Sequence, residues 1–262
     1  MFSKYCFTLV AVFCLVFSAI KGEFVDLAKY EMSYYSADGE DGVTKYLLEI
    51  LGTTNKYFVE FGVGDATQCN TRFLREQFNW HGLMMDRGFK DTNINLQQEY
   101  VTAENINVLL EKYNTPQSFD VLSVDIDYND FYVLHELLKK YRPRIIIAEY
   151  NSTHLPDQDK IVIYDPTKTW DGSNYFGASF RAFYNLGLRH GYTLVYAERA
   201  GVNLFLVCNE AIKSSNVEIK NVDDCNKIYM PPTYGTGPNG GHPIDKLNRP
   251  WTSSQIVLKT NA

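Results

Sequence analysis

Oxygen-bearing side chains are crowded at one point of the sequence, directly after the apolar residues 119–124. The crowded positions are Asp125, Asp127, Asn129 and Asp130. One interpretation is a calcium loop of the EF-hand type, because Glu136 lies eleven residues after Asp125 and would provide the last ligand. The other interpretation is the ligand crevice of an open parallel sheet, where strands end in carboxylates.

The neighbouring elements decide between these interpretations. Strand patterns lie at 56–63, 81–88, 119–125 and 143–151, and helical patterns at 67–78, 102–113, 130–141 and 179–191. Residues 192–208 have the pattern of a hairpin. This alternation predicts an α/β fold, with a mostly parallel, doubly wound sheet that an antiparallel hairpin closes. The acidic cluster thus follows a strand, whereas an EF-hand loop follows a helix and has glycine where this chain has Asp130.

The turn after the first predicted strand has the composition of a cofactor loop. In VEFGVGDATQCN (59–70), Glu60 ends the strand, and Gly62, Gly64 and Ala66 are small residues that let a ligand approach the backbone. The next strand ends in Asp86, 20 residues past Ala66, where an acidic side chain is placed for ribose hydroxyls. A dinucleotide fingerprint would put its third glycine at position 67, where this chain has threonine.

Four segments together resemble the FkbM-like branch of the class I S-adenosylmethionine-dependent methyltransferases. They are SADGEDG (36–42), FVEFGVGDATQCNTRFL (58–74), SVDID (123–127) and IIIAEYNS (145–152). The pattern departs from the family at Ala66, where glycine is commoner, and at Ala37, where glutamine is usual. The resemblance implies a Rossmann-like, seven-stranded, mostly parallel sheet with a C-terminal antiparallel hairpin and helices on both faces. It also implies S-adenosylmethionine as the methyl donor and O-methylation of a small molecule.

The resemblance assigns cofactor contacts to eight positions along the chain. They are Glu60, Gly62, Gly64, Ala66, Asp86, Glu104, Asn105 and Asp125. Glu60 is expected to help hold the amino-acid end of the cofactor. Glu104 and Asn105 are expected at the adenine rim, with a helix surface as their alternative placement.

The reacting end of the site is expected to contain further acids. Metal-assisted methyltransferases similar to catechol O-methyltransferase suggest a divalent ion (Mg²⁺, Ca²⁺ or Mn²⁺) held by Asp125, Glu149 and Asn151. Asp127 and Asp130 are candidates for the catalytic base or for extra ligands. The alternative is that Asp125 contacts the cofactor while Asp127 and Asp130 cap the following helix.

A long loop after the fourth predicted strand completes the set of candidates. Residues 164–179 alternate aromatic with polar side chains, which is typical of an acceptor pocket or of an aromatic core patch. His154, on the same connection, is a further candidate base, with a solvated loop histidine as the alternative.

The N-terminus predicts a secretory-pathway protein. A lysine precedes an apolar run of 16 residues that ends in small residues, so residues 1–22 are a predicted signal peptide, with an uncleaved type II membrane anchor as the alternative. Residues 23–210 would then form the methyltransferase-like domain, and 211–262 a tail that packs on it or is mobile. Cleavage leaves 23 basic against 31 acidic residues, a net charge of −8, which argues against nucleic acid as a partner.

An oxidising compartment affects two further expectations. Cys208 and Cys225 are a plausible disulfide, with Cys69 buried. Asn151 begins the N-glycosylation sequon Asn-Ser-Thr, so the chain is an expected glycoprotein. A glycan on Asn151 would exclude it as a metal ligand, so either the residue folds away unmodified or the metal interpretation is wrong.

The function expected from the sequence is therefore S-adenosylmethionine-dependent O-methylation of a small hydroxylated compound. Because this cofactor is made in the cytosol, the alternative is a secreted, non-catalytic binding protein that keeps the fold. A dehydrogenase is a weaker third possibility.

Overall fold

The structure, a computed structural model, describes residues 23–215, 217–222 and 224–259. The predicted signal peptide lies outside this range. Among the residues described, there is no helix with the length and apolar character needed to cross a membrane.

Eleven strands and eight helices are assigned in this part of the chain. The strands are β1 (Glu23–Val25), β2 (Tyr57–Phe61), β3 (His81–Asp86), β4 (Leu96–Gln98), β5 (Ser118–Val124), β6 (Arg142–Glu149), β7 (Ile161–Val162), β8 (Tyr192–Ala197), β9 (Asn203–Cys208), β10 (Val217–Ile219) and β11 (Trp251–Thr252). The helices are α1 (Glu40–Leu51), α2 (Arg72–Phe78), α3 (Ile106–Lys112), α4 (Asp130–Leu137), α5 (Phe180–His190), α6 (Asn209–Ser214), α7 (Cys225–Ile228) and α8 (Ser254–Val257), with short 3₁₀ turns at Leu27–Lys29 and Thr92–Ile94.

Seven strands form the central sheet, in the spatial order β4-β3-β2-β5-β6-β9-β8. Neighbouring strands from β4 to β6 are parallel, whereas β9 is antiparallel to both β6 and β8. This arrangement confirms the predicted fold class, including the antiparallel hairpin after α5. All five parallel strands end at one edge, so the turns after β2, β3, β5 and β6 converge there.

Alternating side chains of the strands supply two apolar cores, one on each face of the sheet. On β6, Ile146 and Ala148 pack with α3, α4 and α5, while Ile145 and Ile147 pack with α1, α2 and α6. Both faces are covered by helices, which explains why β6 is apolar at successive positions rather than at alternate ones.

Two helices begin later than their patterns predict, because polar loops precede them. The helical pattern at 102–113 corresponds to a helix that begins only at Ile106, four residues after Thr102. Its capping chemistry is nevertheless present: the Thr102 amide donates to Asn105 Oδ1 at 2.8 Å, and the Asn105 amide donates to Thr102 Oγ1 at 3.3 Å. The other helix begins at Arg72 rather than at position 67.

The predicted disulfide is wrong, because Cys208 and Cys225 are both free. Cys208 pairs across the sheet with Tyr192, which follows the end of α5, while Cys225 lies beside Arg181 in the first turn of that helix. An 11-residue helix is about 16 Å long, far more than a disulfide spans. Cys69 is buried, as predicted.

The tail packs on the domain over the described residues. Strand β11 pairs with β7, and β10 pairs with β1. The side chain of Asp159 accepts hydrogen bonds from the amide and hydroxyl of Ser254 at 3.0 and 2.7 Å. Residues far beyond the predicted domain boundary at 210 therefore contact the loop after β6.

Candidate functional site

The glycine turn after β2 is built against the ends of two neighbouring strands. Gly62 has φ of 76°, and a Cβ there would lie 1.6 Å from the Asp125 carbonyl oxygen. The Gly64 amide donates to Asp86 Oδ2 at 2.9 Å, and the Gly88 amide donates to Asp86 Oδ1 at 2.7 Å. Asp86 thus fixes the turn, and each carboxylate oxygen keeps a second lone pair for a ligand.

A cavity of about 350 Å³ opens in front of this turn. Its walls include Gly62, Gly64, Asp86, Phe89, Tyr100 and Asp125. Phe89 and Tyr100 are 49% and 43% exposed as whole residues, and aromatic side chains on a cavity wall can stack on a flat ligand. Sequence reasoning missed both rings, because they lie in loops with no regular pattern.

Two of the predicted cofactor contacts support the turn from behind the cavity. The carboxylate of Glu60 accepts hydrogen bonds from the amides of Asn70 and Thr71 at 2.8 and 2.9 Å and from the Thr71 hydroxyl at 2.5 Å. Burial raises the pKa of Glu60. Ala66 is buried, with φ of 59°. The structure therefore places both residues between the turn and α2, and not on the cavity wall.

The predicted adenine-rim residues are not brought to the cavity. Glu104 accepts a hydrogen bond from the Tyr164 hydroxyl at 2.6 Å, in a separate depression. The Asn105 amide group donates to the Tyr100 carbonyl at 2.8 Å. The residues after β4 that do line the cavity are Glu99, Tyr100 and Val101.

Four carboxyl groups near the ends of β5 and β6 form an acidic cluster beside the cavity. They belong to Asp125, Asp127, Asp130 and Glu149. Removal from water, then the charges of Asp130 and Asp127, raise the pKa of Asp125. Removal from water, then the charge of Asp125, raises the pKa of Glu149. Asp130 is fully buried and accepts a hydrogen bond from the Ile126 amide at 2.7 Å. Asp127, with φ of 69°, lies on the cavity wall rather than capping α4.

We expect Asp130→Asn to stabilise the protein increasingly as the pH rises from 4 to 7. Burial raises the pKa of Asp130 from 3.8 to about 7, so the folded state holds a proton that the unfolded state releases above pH 4. The stability from that bound proton is complete below pH 4 and is lost as the pH rises through 7. A shift of about three units corresponds to at most about 4 kcal/mol.

Urea denaturation of both proteins at several pH values measures this difference. Asparagine keeps the acceptor oxygen for the Ile126 amide, which makes it the matched replacement. A difference in unfolding free energy between the variant and the wild type that does not change with pH would contradict the expectation.

The predicted metal site does not form as a set of three ligands. Asn151 is fully buried, and its amide group donates to the carbonyls of Asn174 and Phe176 at 2.8 and 3.0 Å. Its oxygen accepts from the Thr153 hydroxyl at 2.5 Å, so the side chain is committed to its own loop. Throughout the described ranges, no three His, Cys, Asp or Glu side chains form a group that could hold a metal ion.

We expect Asn151 to carry no glycan in the folded protein. A glycan on this nitrogen would replace one of the two N–H groups that fix the loop and would have no room in the interior. The intact mass of protein from a secreting host should not change after treatment with a peptide N-glycosidase. A loss of mass on treatment would show that the loop folds differently.

His154, the other predicted base, lies away from the acidic cluster. Its ring is buried and packs edge-on against Trp251, with centroids 4.5 Å apart. Burial lowers the pKa of His154 to about 4. It faces a second cavity of about 710 Å³, shared with Tyr229 and Arg249. Because the tail covers this side of the loop, His154 and Asp127 are not brought together.

The loop after β7 contributes to both cavity and core. Lys168 and Thr169 line the 350 Å³ cavity. The Tyr175 hydroxyl donates to the Pro250 carbonyl at 2.7 Å, in a small core with Tyr128. The predicted loop therefore divides into a cavity wall and an aromatic core patch.

Tail residues face the acidic cluster, and sequence reasoning did not identify them. Burial raises the pKa of Tyr234 to about 12, and the charges of Glu149 and Asp125 make smaller contributions in the same direction. Burial lowers the pKa of His242, and the charge of Asp127 has a smaller, opposite effect on it. The available signal was the glycine-dense stretch 235–241 between two aromatic side chains.

Comparison with known proteins identifies the family. The profile described as "Methyltransferase FkbM domain" matches residues 40–194. No curated protein matches the chain. Among solved structures, it is similar to the CMeT domain of the citrinin polyketide synthase, at 11% identity and a TM-score of 0.31, over 58% of this chain and 46% of that one.

A second similar structure is the small RNA methyltransferase HEN1, at 14% identity and a TM-score of 0.32, over 66% of this chain and 25% of that one. This chain thus spans less than half of either neighbour. The family profile covers more than half of the sequence, including the glycine turn, Asp86 and the acidic cluster. The chain belongs to the FkbM methyltransferase family.

Proposed function

We propose that the chain transfers a methyl group from S-adenosylmethionine to a hydroxyl oxygen of a small molecule, within the secretory pathway. The observation that carries the proposal is the Asp86 carboxylate, held by the amides of Gly64 and Gly88 at the wall of the 350 Å³ cavity. A carboxylate fixed in this way accepts hydrogen bonds from vicinal ribose hydroxyls.

The other cavity residues suit the remaining parts of the same cofactor. Phe89 and Tyr100 offer ring faces for an adenine. Asp125 and Asp127 place two carboxyl groups at the end of β5, and a positively charged sulfonium or ammonium group would favour their ionised form. A cavity of this size lies in the usual range for small ligands.

The bound cofactor supplies an activated methyl group, and the chain supplies placement and charge. Transfer is an in-line displacement, so holding the acceptor oxygen near the methyl carbon gives most of the rate. Lys168 and Thr169, in the loop after β7, form part of the wall of the 350 Å³ cavity. The acceptor must also lose a proton, which requires a base beside the acceptor oxygen.

The hydroxyl acceptor and the compartment rest on sequence features. Characterised members of the resembled branch O-methylate small molecules, and the first 22 residues have the pattern of a signal peptide.

Calorimetric titration of the mature chain with S-adenosylmethionine tests the proposal, with NAD as the control. We expect saturable binding of S-adenosylmethionine alone, followed by transfer of labelled methyl groups to a panel of hydroxylated probes. Binding without transfer to any probe would favour the non-catalytic binding protein. Absence of binding would contradict the proposed function.

A further inference from the structure

The C-terminal residues 234–242 form a tight hairpin that lies outside the part of the chain matched by the family. The Gly241 amide donates to the Tyr234 carbonyl at 2.6 Å, and the Gly237 amide donates to the Gly241 carbonyl at 2.8 Å. A Cβ at Gly241, where φ is 71°, would lie 2.6 Å from Thr153 Cγ2. The hairpin is thereby fixed against the loop that follows β6.

His242 ends this hairpin inside a group of aromatic rings. Its centroid lies 4.3 Å from that of Trp170, 5.5 Å from Phe176 and 5.2 Å from Tyr234. Trp170 directly follows Thr169, which lines the cofactor cavity. These contacts hold the imidazole against the loop whose residues Lys168 and Thr169 line that cavity.

The charges around His242 suit a neutral imidazole with an acidic neighbour. Burial lowers the pKa of His242, and the opposing effect of the Asp127 charge is smaller. Asp127 itself lies on the cavity wall. Burial raises the pKa of Asp127, the charge of Arg87 lowers it, and the charge of Asp86 raises it. Tyr234, the other titratable group in contact, stays protonated at neutral pH because burial raises its pKa to about 12.

We propose that His242 is the base that accepts the proton of the acceptor hydroxyl, and that the hairpin completes the acceptor side of the site. This inference rests on the proposed methyl transfer. The acceptor O–H bond breaks and its proton moves to an imidazole nitrogen. The oxygen–methyl bond forms as the sulfur–methyl bond breaks, and S-adenosylhomocysteine leaves as the neutral thioether. Asp127 stabilises the resulting imidazolium.

Two of the other candidate bases, Asp130 and His154, are placed less well for this role. Asp130 is fully buried and bonded to the Ile126 amide, so it cannot reach an acceptor. His154 packs against Trp251, on the side of the loop that faces the second cavity. His242 alone among these three contacts the loop that lines the cofactor cavity.

NMR titration of the histidine side chains tests the position of His242 without turnover. S-Adenosylmethionine and S-adenosylhomocysteine differ by the methyl group and its positive charge. If His242 faces the reacting sulfur, its pKa should be lower by about one unit in the S-adenosylmethionine complex. His242→Phe assigns the signal, and the exposed His81, at the start of β3, serves as an internal control that should not shift.

Kinetics test the chemical role, with catechol as the methyl acceptor. His242→Phe keeps an aromatic ring among its neighbours but removes the base, so its rate should fall about a hundredfold and lose the rise with pH. Its affinity for S-adenosylmethionine should stay within about twofold of the wild type. His81→Phe should match the wild type in both respects.

The outcomes separate this inference from the proposed function. Normal S-adenosylmethionine binding with equal His242 pKa values in the two complexes would overturn the role of His242 alone. A His242→Phe protein that methylates catechol at the wild-type rate would do the same. Failure of the wild type to bind S-adenosylmethionine would overturn both proposals. If the wild type binds the cofactor but leaves catechol unmethylated, the His242 pKa values in the two complexes decide whether His242 faces the reacting sulfur. A lower value with S-adenosylmethionine supports its role, and equal values overturn it.

Discussion

Replacing Gly62 with alanine is expected to lower the free energy of unfolding by about 3 kcal/mol and to abolish cofactor binding. The added Cβ would lie 1.6 Å from the Asp125 carbonyl oxygen, in a residue with φ of 76°. Backbone cannot yield as a flexible side chain does, so the ends of β2 and β5 must separate. Urea denaturation measures the first effect and calorimetric titration with S-adenosylmethionine the second.

Gly64→Ala is the matched control for this experiment. Gly64 also has a positive φ, of 55°, but a Cβ there meets no atom within 4 Å. Only the cost of the left-handed backbone remains, about 1 kcal/mol, and the amide that donates to Asp86 is kept. Equal losses for the two variants would show that backbone conformation, and not the approach to Asp125, governs this turn.

Replacing Asp86 with alanine is expected to weaken S-adenosylmethionine binding by at least about a hundredfold. Hydrogen bonds to a charged acceptor contribute roughly 1.5–3 kcal/mol each, and every 1.4 kcal/mol is tenfold in affinity. The variant loses the proposed ribose contacts and also the anchors of Gly64 and Gly88. Calorimetry gives the affinity, and circular dichroism verifies that the variant is folded.

Asp86→Asn separates the two contributions of this side chain. Asparagine keeps one acceptor oxygen and nearly the same shape, but it replaces the other oxygen with a donor. We expect an affinity between those of the wild type and the alanine variant. An alanine variant that binds S-adenosylmethionine as tightly as the wild type would remove Asp86 from the cofactor site.

The parallel sheet and its closing hairpin were predictable because most of the strands carry a local pattern. The apolar runs that became β2, β3, β5 and β6 are each followed by a helical segment, and such alternation allows few topologies. Strand β4 was missed, because three residues at a sheet edge are too few to show a period.

The placement of Asp86 and Asp125 also followed from the sequence, since parallel strands end at one edge of the sheet. The sequence could not show that Glu60 is turned toward α2, because both faces of β2 are covered. Glu104 and Asn105 were misplaced for a related reason: the loop before α3 is fixed by its own hydrogen bonds and by Tyr164.

The sequence by itself determined the α/β fold, the glycine turn, Asp86 and the family, because each depends on residues close together in the chain. Only the tertiary structure decided how the loop after β6 is used. There, Trp251 of the tail packs against the ring of His154, and the tail places His242 where the charge of Asp127 affects its pKa. Contacts between such distant segments leave no periodic signal, since they depend on how the finished domain presents its surface to the tail.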